Sequence, residues 1–269
     1  MIELLKDIFR PIYRIVVSQD EREYRRLQWK YVGVGRFRLK KDVAFLSYKI
    51  DVPDLPSFLG QFKEIFVEKA YWFKSTSENL VIIDCGSNIG MSLLFFSRNF
   101  PNARIIGYEA DPEIAKLCGT NLIKNNVHNC KLYNSAVWID SLGVNFSVEG
   151  ADGGSVSGVS NVSVVSSIRL REVLDGELNV DLLKMDIEGA EHSVLMDCAD
   201  VLHKVNNLFV EFHSIKGESQ NLGDILKLLE NNKFRYYIEG IDKRKSPLMR
   251  SSANGTSMDL QLNIYAWKN

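Results

Sequence analysis

The sequence predicts an α/β fold: a mostly parallel central sheet with helices on both faces, preceded by a smaller α/β extension. Three observations predict it. From Leu80 onward, short apolar, β-branched runs alternate with helical patterns, the rhythm of βαβ units. Several of those runs are apolar nearly throughout, as strands buried on both faces are. The stretch Val81-Ile82-Ile83-Asp84-Cys85-Gly86-Ser87-Asn88-Ile89-Gly90 leads from such a run through two glycines directly into a helical pattern at Met91. Glycines there let backbone approach a ligand, and the free N–H groups of a helix start favour negative charge.

Composition sets the bounds. A chain of 269 residues, 45% hydrophobic and 25% charged, can bury a sizeable core as an ordinary globular protein. Its net charge of -1 gives no global pull towards nucleic acid or acidic membranes. Cys85, Cys118, Cys130 and Cys198 lack the paired spacing of a zinc site or a disulfide framework, so reduced thiols and a cytoplasmic setting are expected. No stretch approaches the roughly 20 apolar residues of a membrane-spanning helix, and no signal-peptide pattern opens the chain.

Residues 1–75 form the extension. Ile2, Leu5, Phe9, Ile12 and Val16 recur near helical spacing around Pro11. That stripe either docks on the protein's own core or, with the basic residues up to Lys41, makes a peripheral membrane contact. Arg22, Arg25, Arg26, Lys30, Arg36, Arg38, Lys40 and Lys41 read as a solvated face or as a site for an anionic acceptor. Strands are expected at 36–39 and 43–50, and a helix over 58–71 after Pro56.

Residues 76–269 form the main domain. Strand one covers 81–85 and its helix 89–99; strand two covers 104–109. Asp111 and Pro112 occupy the N-cap and first position of a helix reaching 125. Strand three covers 131–137. An insertion over 141–169 then breaks the rhythm, with strands at 144–148 and 162–168 around a Gly/Ser-rich 150–160 that reads as a substrate lid or a plain hairpin excursion. Strand four (180–186), a helix (190–199), strand five (207–213), a helix (222–231) and strand six (234–239) restore it. The alternating run 259–267 follows with no crossover helix, so the last strand is expected to be antiparallel.

Ligands of open parallel sheets bind beyond the carboxyl ends of the strands. Strand one ends at Asp84 and strand two at Glu109, where a carboxylate can accept both hydroxyls of a ribose. Asn88 stands where a dinucleotide fingerprint needs its middle glycine, so the loop is poorly suited to a pyrophosphate. Asp84 below the loop repels phosphate and suits an ammonium. The balance favours S-adenosylmethionine over NAD.

These residues also carry a resemblance. Asp84-Cys85-Gly86-Ser87-Asn88-Ile89-Gly90 and Tyr108-Glu109-Ala110-Asp111-Pro112 resemble motifs one and two of class I S-adenosylmethionine-dependent methyltransferases. Leu183-Lys184-Met185-Asp186-Ile187-Glu188-Gly189-Ala190-Glu191 with Val210-Glu211-Phe212-His213 narrows the resemblance to the FkbM family, over roughly residues 60–215. It implies a seven-stranded Rossmann-like sheet with the last strand antiparallel, and O-methylation of a hydroxyl on a sugar or on a polyketide or related natural product. It makes Asp84, Gly86, Asn88 and Gly90 methionine-side contacts, with Ser87 and Ala110 beside them, and Glu109 the ribose anchor. Asp111 falls at the adenosine rim, and Ser135 and Ala136 where adenine packs.

The acceptor hydroxyl must lie in line with the sulfonium methyl and lose its proton. Asp186 and Glu188, two apart after strand four, and Glu211 and His213, two apart on strand five, can converge. Three mechanisms fit: His213 as general base, a divalent cation held by Asp186 with Glu211 and His213, or positioning by a polar network. Lys184 is either a charge partner of Asp186 or Glu188 or a donor to the acceptor. Glu191 complements a helix dipole. A small-molecule or glycan acceptor is expected, in a polysaccharide, glycolipid or lipid-linked precursor. Nucleic acid is disfavoured because no Asn/Asp-Pro-Pro-Tyr motif follows strand four. A non-catalytic S-adenosylmethionine-binding scaffold is the alternative of a different class.

Overall fold

The structure is a computed structural model that describes residues 18–75, 77, 79–147, 162–241, 248 and 258–268. Expectations for residues 1–17 and 150–160 lie outside the described residues.

The centre is a seven-stranded sheet. Its strands are β3 (Val81–Cys85), β4 (Arg104–Glu109), β5 (Cys130–Asn134), β10 (Val180–Met185), β11 (Val205–Ile215), β12 (Arg235–Gly240) and β13 (Met258–Trp267), in the spatial order β12-β13-β11-β10-β3-β4-β5. β13 lies antiparallel between β11 and β12, and the other pairings are parallel. The chain runs outward from β3 through β4 and β5, then returns to β10 on the opposite side. The switch point where the order reverses is therefore between β3 and β10, at the start of the cleft.

The strands' alternation divides the core into two. Ile83, Leu183 and Val210 face one side, packed under α5 (Leu170–Asp175), α6 (Glu191–Asp197) and α7 (Leu222–Asn231). Their neighbours Ile82, Leu182 and Phe209 face the other, where α3 (Met91–Asn99) and α4 (Pro112–Lys124) pack. Each such side chain contributes about 1.5–3 kcal/mol on burial.

The extension shares that second core. α1 (Gln19–Lys30), the hairpin β1 (Lys40–Phe45) and β2 (Tyr48–Val52), and α2 (Leu55–Phe62) place Leu27, Phe45, Ile50, Phe58 and Phe62 in one cluster with Phe95 and Phe96. Phe45 meets Phe58, Phe62 and Phe66 with ring centroids 5.4–5.8 Å apart, and Phe66 meets Phe95 at 5.5 Å. Two hydrogen bonds add to this: buried Asn121 on α4 accepts from the Asp51 N–H (2.7 Å) and donates to the Asp51 carbonyl (3.1 Å).

Four expectations are corrected. Residues 36–39 form no strand, because Phe37 has a positive φ of 57° and Arg36 turns back to Asp54. The helix expected over 58–71 begins at Leu55 and widens into a single π turn, Lys63–Val67, closed by the Glu68 N–H on the Lys63 carbonyl (2.8 Å). Strand three splits: β5 stays in the sheet, while β6 (Ala136–Trp138) pairs with β9 (Ser167–Arg169). Strand four ends at Met185, leaving Asp186 in the loop after it. Within the insertion, β7 (Val144–Ser147) and β8 (Val162–Val165) form an antiparallel hairpin.

Candidate active site

The loops after β3 and β10 touch. The Asp186 N–H donates to the Cys85 carbonyl (3.0 Å), and the Gly86 and Ser87 N–H groups both donate to the Tyr108 carbonyl on β4. A Cβ built on Gly86 would lie 1.8 Å from the Asp186 carbonyl oxygen, and its φ is +87°, so only glycine fits. Asn88 and Glu188 sit on these two loops with φ of 46° and 56°. Non-glycine residues held left-handed store backbone strain, and here they flank one cleft.

On the donor side, Glu109 at the end of β4 is nearly buried. Its Oε2 accepts from the Asn88 N–H (2.8 Å) and its Oε1 from the Asp111 N–H (2.9 Å). Each oxygen keeps a lone pair for a ligand. Burial pushes the Glu109 carboxyl above its usual range, and those two N–H groups hold it back. Asp111 is occupied as the N-cap of α4, accepting from the Glu113 and Ile114 N–H groups. Ala136 packs with Val144, Phe146 and Val165 of the inserted hairpin, with Ala110 beside them, and the Ser135 hydroxyl meets that of Ser166 at 3.0 Å. The hairpin thus covers Ala110 and Ala136, beyond the ends of β4 and β5.

On the acceptor side, the parallel register sets Lys184 opposite Asp84. Lys184 Nζ lies 3.2 Å from Asp84 Oδ1 and 3.5 Å from Asp186 Oδ2, and donates to the Gly86 carbonyl. Its chief partner is therefore Asp84, on the neighbouring strand. Burial opposes its charge, but Asp84 and Asp186 outweigh that and raise its pKa.

His213 is fully enclosed. Its Nδ1 is 3.1 Å from Glu191 Oε1, and its Nε2 is 3.4 Å from Glu211 and 3.6 Å from Glu188. Glu191, at the start of α6, is itself buried and accepts the Ile187 and Gly189 N–H groups. It therefore secures both the loop after β10 and the imidazole. Burial alone would lower the His213 pKa, yet hydrogen bonds to Glu191 and Glu211 raise it to about 12. Burial, and then the Glu211 charge, push Asp186 up to about 7; burial, and then Asp186, push Glu188 up to about 8. Burial disfavours ionised Glu211 as well, but its hydrogen bond with His213 prevails and its pKa is lowered.

Lys184, Asp186, Glu188 and Glu211 line one cavity of about 430 Å³ together with Gly86, Ser87 and Asn88. Its opposite wall comes from α2 and the π turn: Ser57, Gly60, Gln61, Glu64 and Ile65. Three residues of this site are not singled out by the sequence: Glu64, Gln261 and Asn263. Glu64 accepts from Asn263 Nδ2 (3.0 Å), and burial followed by the Glu211 charge pushes it up to about 7. Gln261 donates to Glu211 and, like Glu64, faces the cavity. Glu191 was read as a dipole partner of α6 and proves also to hold His213. Gln261 and Asn263 stand opposite His213 and Glu211 on β13, a register that the alternation of the final strand does not by itself give. Asp186, Glu211 and His213 each offer a ligand atom, all within 4.8 Å of one another, a spacing a metal ion can bridge.

Residues 84–236, more than half of the chain, match the family described as the methyltransferase FkbM domain. "Methyltransferase 1" of Beauveria bassiana is 27% identical over 211 residues, covering 67% of this chain and 82% of that protein. "Methyltransferase sdnD" of Sordaria araneosa is 28% identical over 171 residues, covering 50% and 66%. Among solved structures, a precorrin-6y C5,15-methyltransferase from Geobacter metallireducens aligns over 77% of this chain and 89% of its own, with 14% identity and a TM-score of 0.45.

Proposed function

Because this chain belongs to the FkbM methyltransferase family, we propose that it moves the methyl group of S-adenosylmethionine to a hydroxyl of a sugar, in a glycolipid, polysaccharide or lipid-linked glycan precursor. The observation that carries the reading is the carboxylate-lined cavity joining the Gly86–Asn88 turn to Asp186 and Glu211. A donor with an ammonium and a sulfonium fits that lining, since both are cations. Glu109, with a lone pair free on each oxygen, fits the ribose diol. When bound, the donor supplies an electrophilic methyl for in-line displacement by an alkoxide.

The chain's own residues do the rest. Asp186 takes the hydroxyl proton, since a base poised near working pH combines a large ionised fraction with adequate strength. His213 stays an imidazolium between Glu191 and Glu211, so it holds the carboxylates in place and offsets their charge. Lys184 ties Asp84, Gly86 and Asp186 together, fixing the base relative to the donor loop. The same acidic wall disfavours a phosphate beside the reacting atom, which supports a glycan or small-molecule hydroxyl over nucleic acid.

Glu109→Ala should weaken S-adenosylhomocysteine binding by about 10- to 100-fold, the worth of one or two hydrogen bonds to a charged acceptor. Isothermal titration reads this directly, and affinity equal to wild type would remove Glu109 from the donor site. Labelled-methyl transfer to sugar nucleotides, lipid-linked glycans and polyketide alcohols then distinguishes the acceptor classes.

A second reading follows from the 4.8 Å grouping of Asp186, Glu211 and His213, which suits a divalent cation that acidifies the acceptor. Under the general-base reading, dialysis against a chelator leaves turnover unchanged. A loss restored by added magnesium or manganese would move the proton chemistry to the metal.

A further inference from the structure

The surface beside the cavity mouth carries a segment unlike the rest of the chain. Residues 29–41 hold five cations, Lys30, Arg36, Arg38, Lys40 and Lys41, and no acidic residue, in a protein of net charge -1. The same segment exposes large apolar side chains: Trp29 at 81%, Val32 at 78%, Phe37 at 63% and Leu39 at 56%. The loop stands clear of the body, since a Cβ added at Gly33 would meet nothing within 4 Å and one at Gly35 would reach only Arg38.

The apolar groups are held outward. Tyr31 is buried at the foot of the loop. Arg36 donates twice to Asp54 Oδ2 (3.0 and 2.8 Å), and the Phe37 N–H donates to Asp54 Oδ1 (2.9 Å). That clamp fixes Phe37 in a left-handed conformation with its ring in solvent. Arg36 also donates to the hydroxyl of Ser57, a residue of the cavity wall (3.2 Å). The loop therefore borders the mouth of the active site.

We propose that residues 29–41 are an interfacial anchor that seats the enzyme on an anionic lipid surface. Trp29, Val32, Phe37 and Leu39 enter the headgroup layer, while Lys30, Arg38, Lys40 and Lys41 neutralise anionic headgroups around them. Charge complementarity points to this occupant: with Arg36 held on Asp54, Lys30, Arg38, Lys40 and Lys41 ring the exposed apolar groups with positive charge that anionic headgroups match. The anchor rests on the function proposed above and deepens it, since it would hold the cavity mouth beside a lipid-linked acceptor.

Sedimentation of the full chain with vesicles tests the anchor. Vesicles of phosphatidylcholine with phosphatidylglycerol should bind the protein at least about tenfold more tightly than phosphatidylcholine alone, and rising salt should weaken that binding. Two variants, Trp29→Ser/Phe37→Ser and Arg38→Glu/Lys40→Glu/Lys41→Glu, should each lose about tenfold or more in vesicle affinity while titrating S-adenosylhomocysteine as wild type does. Equal binding to neutral vesicles, no binding to either, or undiminished binding by both variants would overturn the anchor. So would a dimer seen by light scattering that the Trp29→Ser/Phe37→Ser change dissolves. Donor binding and methyl transfer to a soluble sugar report on the proposed function separately, so the two readings fail independently.

Discussion

Asp186→Asn should lower kcat by about 10²- to 10⁴-fold, the usual worth of a positioned general base, while donor affinity stays close to wild type. The amide keeps the shape and one acceptor oxygen towards Lys184, so what is lost is the capacity to take a proton. The pH profile separates this from structural damage. A carboxylate must be ionised to act as base, and burial followed by the Glu211 charge pushes Asp186 to about 7. Activity should therefore be low in acid, rise through about pH 7, and level off above it. In Asp186→Asn that limb should vanish.

His213→Ala then decides between the two base assignments. A protonated His213 lowers the Asp186 pKa by its charge, so removing the imidazole should displace the acid limb to higher pH without erasing it. Were His213 the base, the limb would disappear in His213→Ala and persist in Asp186→Asn. Because Asp186, Glu188 and Glu211 titrate together, the midpoint belongs to the cluster, and the direction of its displacement is what is read.

The inner strands were legible because they are largely apolar, and burial on both faces leaves few other readings for Val81–Cys85 or Val180–Met185. The antiparallel last strand followed from a connection without a helix. What failed was local and had local causes. Phe37 is β-prone by type, yet the side chain of Asp54, seventeen residues further along the chain, sets its backbone. Strand three is continuous in pattern through Val137, but the chain leaves the sheet after Asn134, whose side chain donates to the carbonyls of Glu109 and Ala110.

The site was legible as residue types and less so as partnerships. Asp186, Glu188, Glu211 and His213 meet, but not through a shared strand face, because Asp186 and Glu188 lie beyond the end of β10. Glu191 brings the two groups together by holding both its own loop and His213, a role that periodicity does not report. Glu64 lies within an aromatic stretch whose spacing indicates helix and core, and only the π turn carries it to the cavity. Contacts made across the sheet or between distant segments leave no periodic trace in the sequence.

Lys184→Met should cost about 3–5 kcal/mol of folding stability, the loss seen when one partner of a buried ion pair is removed. Lys184 is 3% exposed and Asp84 fully buried. Their 3.2 Å contact is an ion pair, and among the described residues Asp84 Oδ1 has no hydrogen-bonded partner besides it. With the ammonium gone, the Asp84 carboxylate keeps, among the described residues, only the Ser92 hydroxyl, donating to its Oδ2. An uncompensated charge in the sheet core is expensive, and the Gly86 carbonyl loses its donor as well. Urea unfolding of the single variant measures the loss. If that variant does not fold, Asp84→Asn/Lys184→Met remains informative, since an uncharged pair of similar volume removes the unpaired carboxylate and should recover much of the stability. A single-variant loss below about 1 kcal/mol, the range of exposed ion pairs, would show that water reaches the pair. The restored double variant should still bind S-adenosylhomocysteine more weakly than wild type, because Lys184 also holds the Gly86 turn against Asp186.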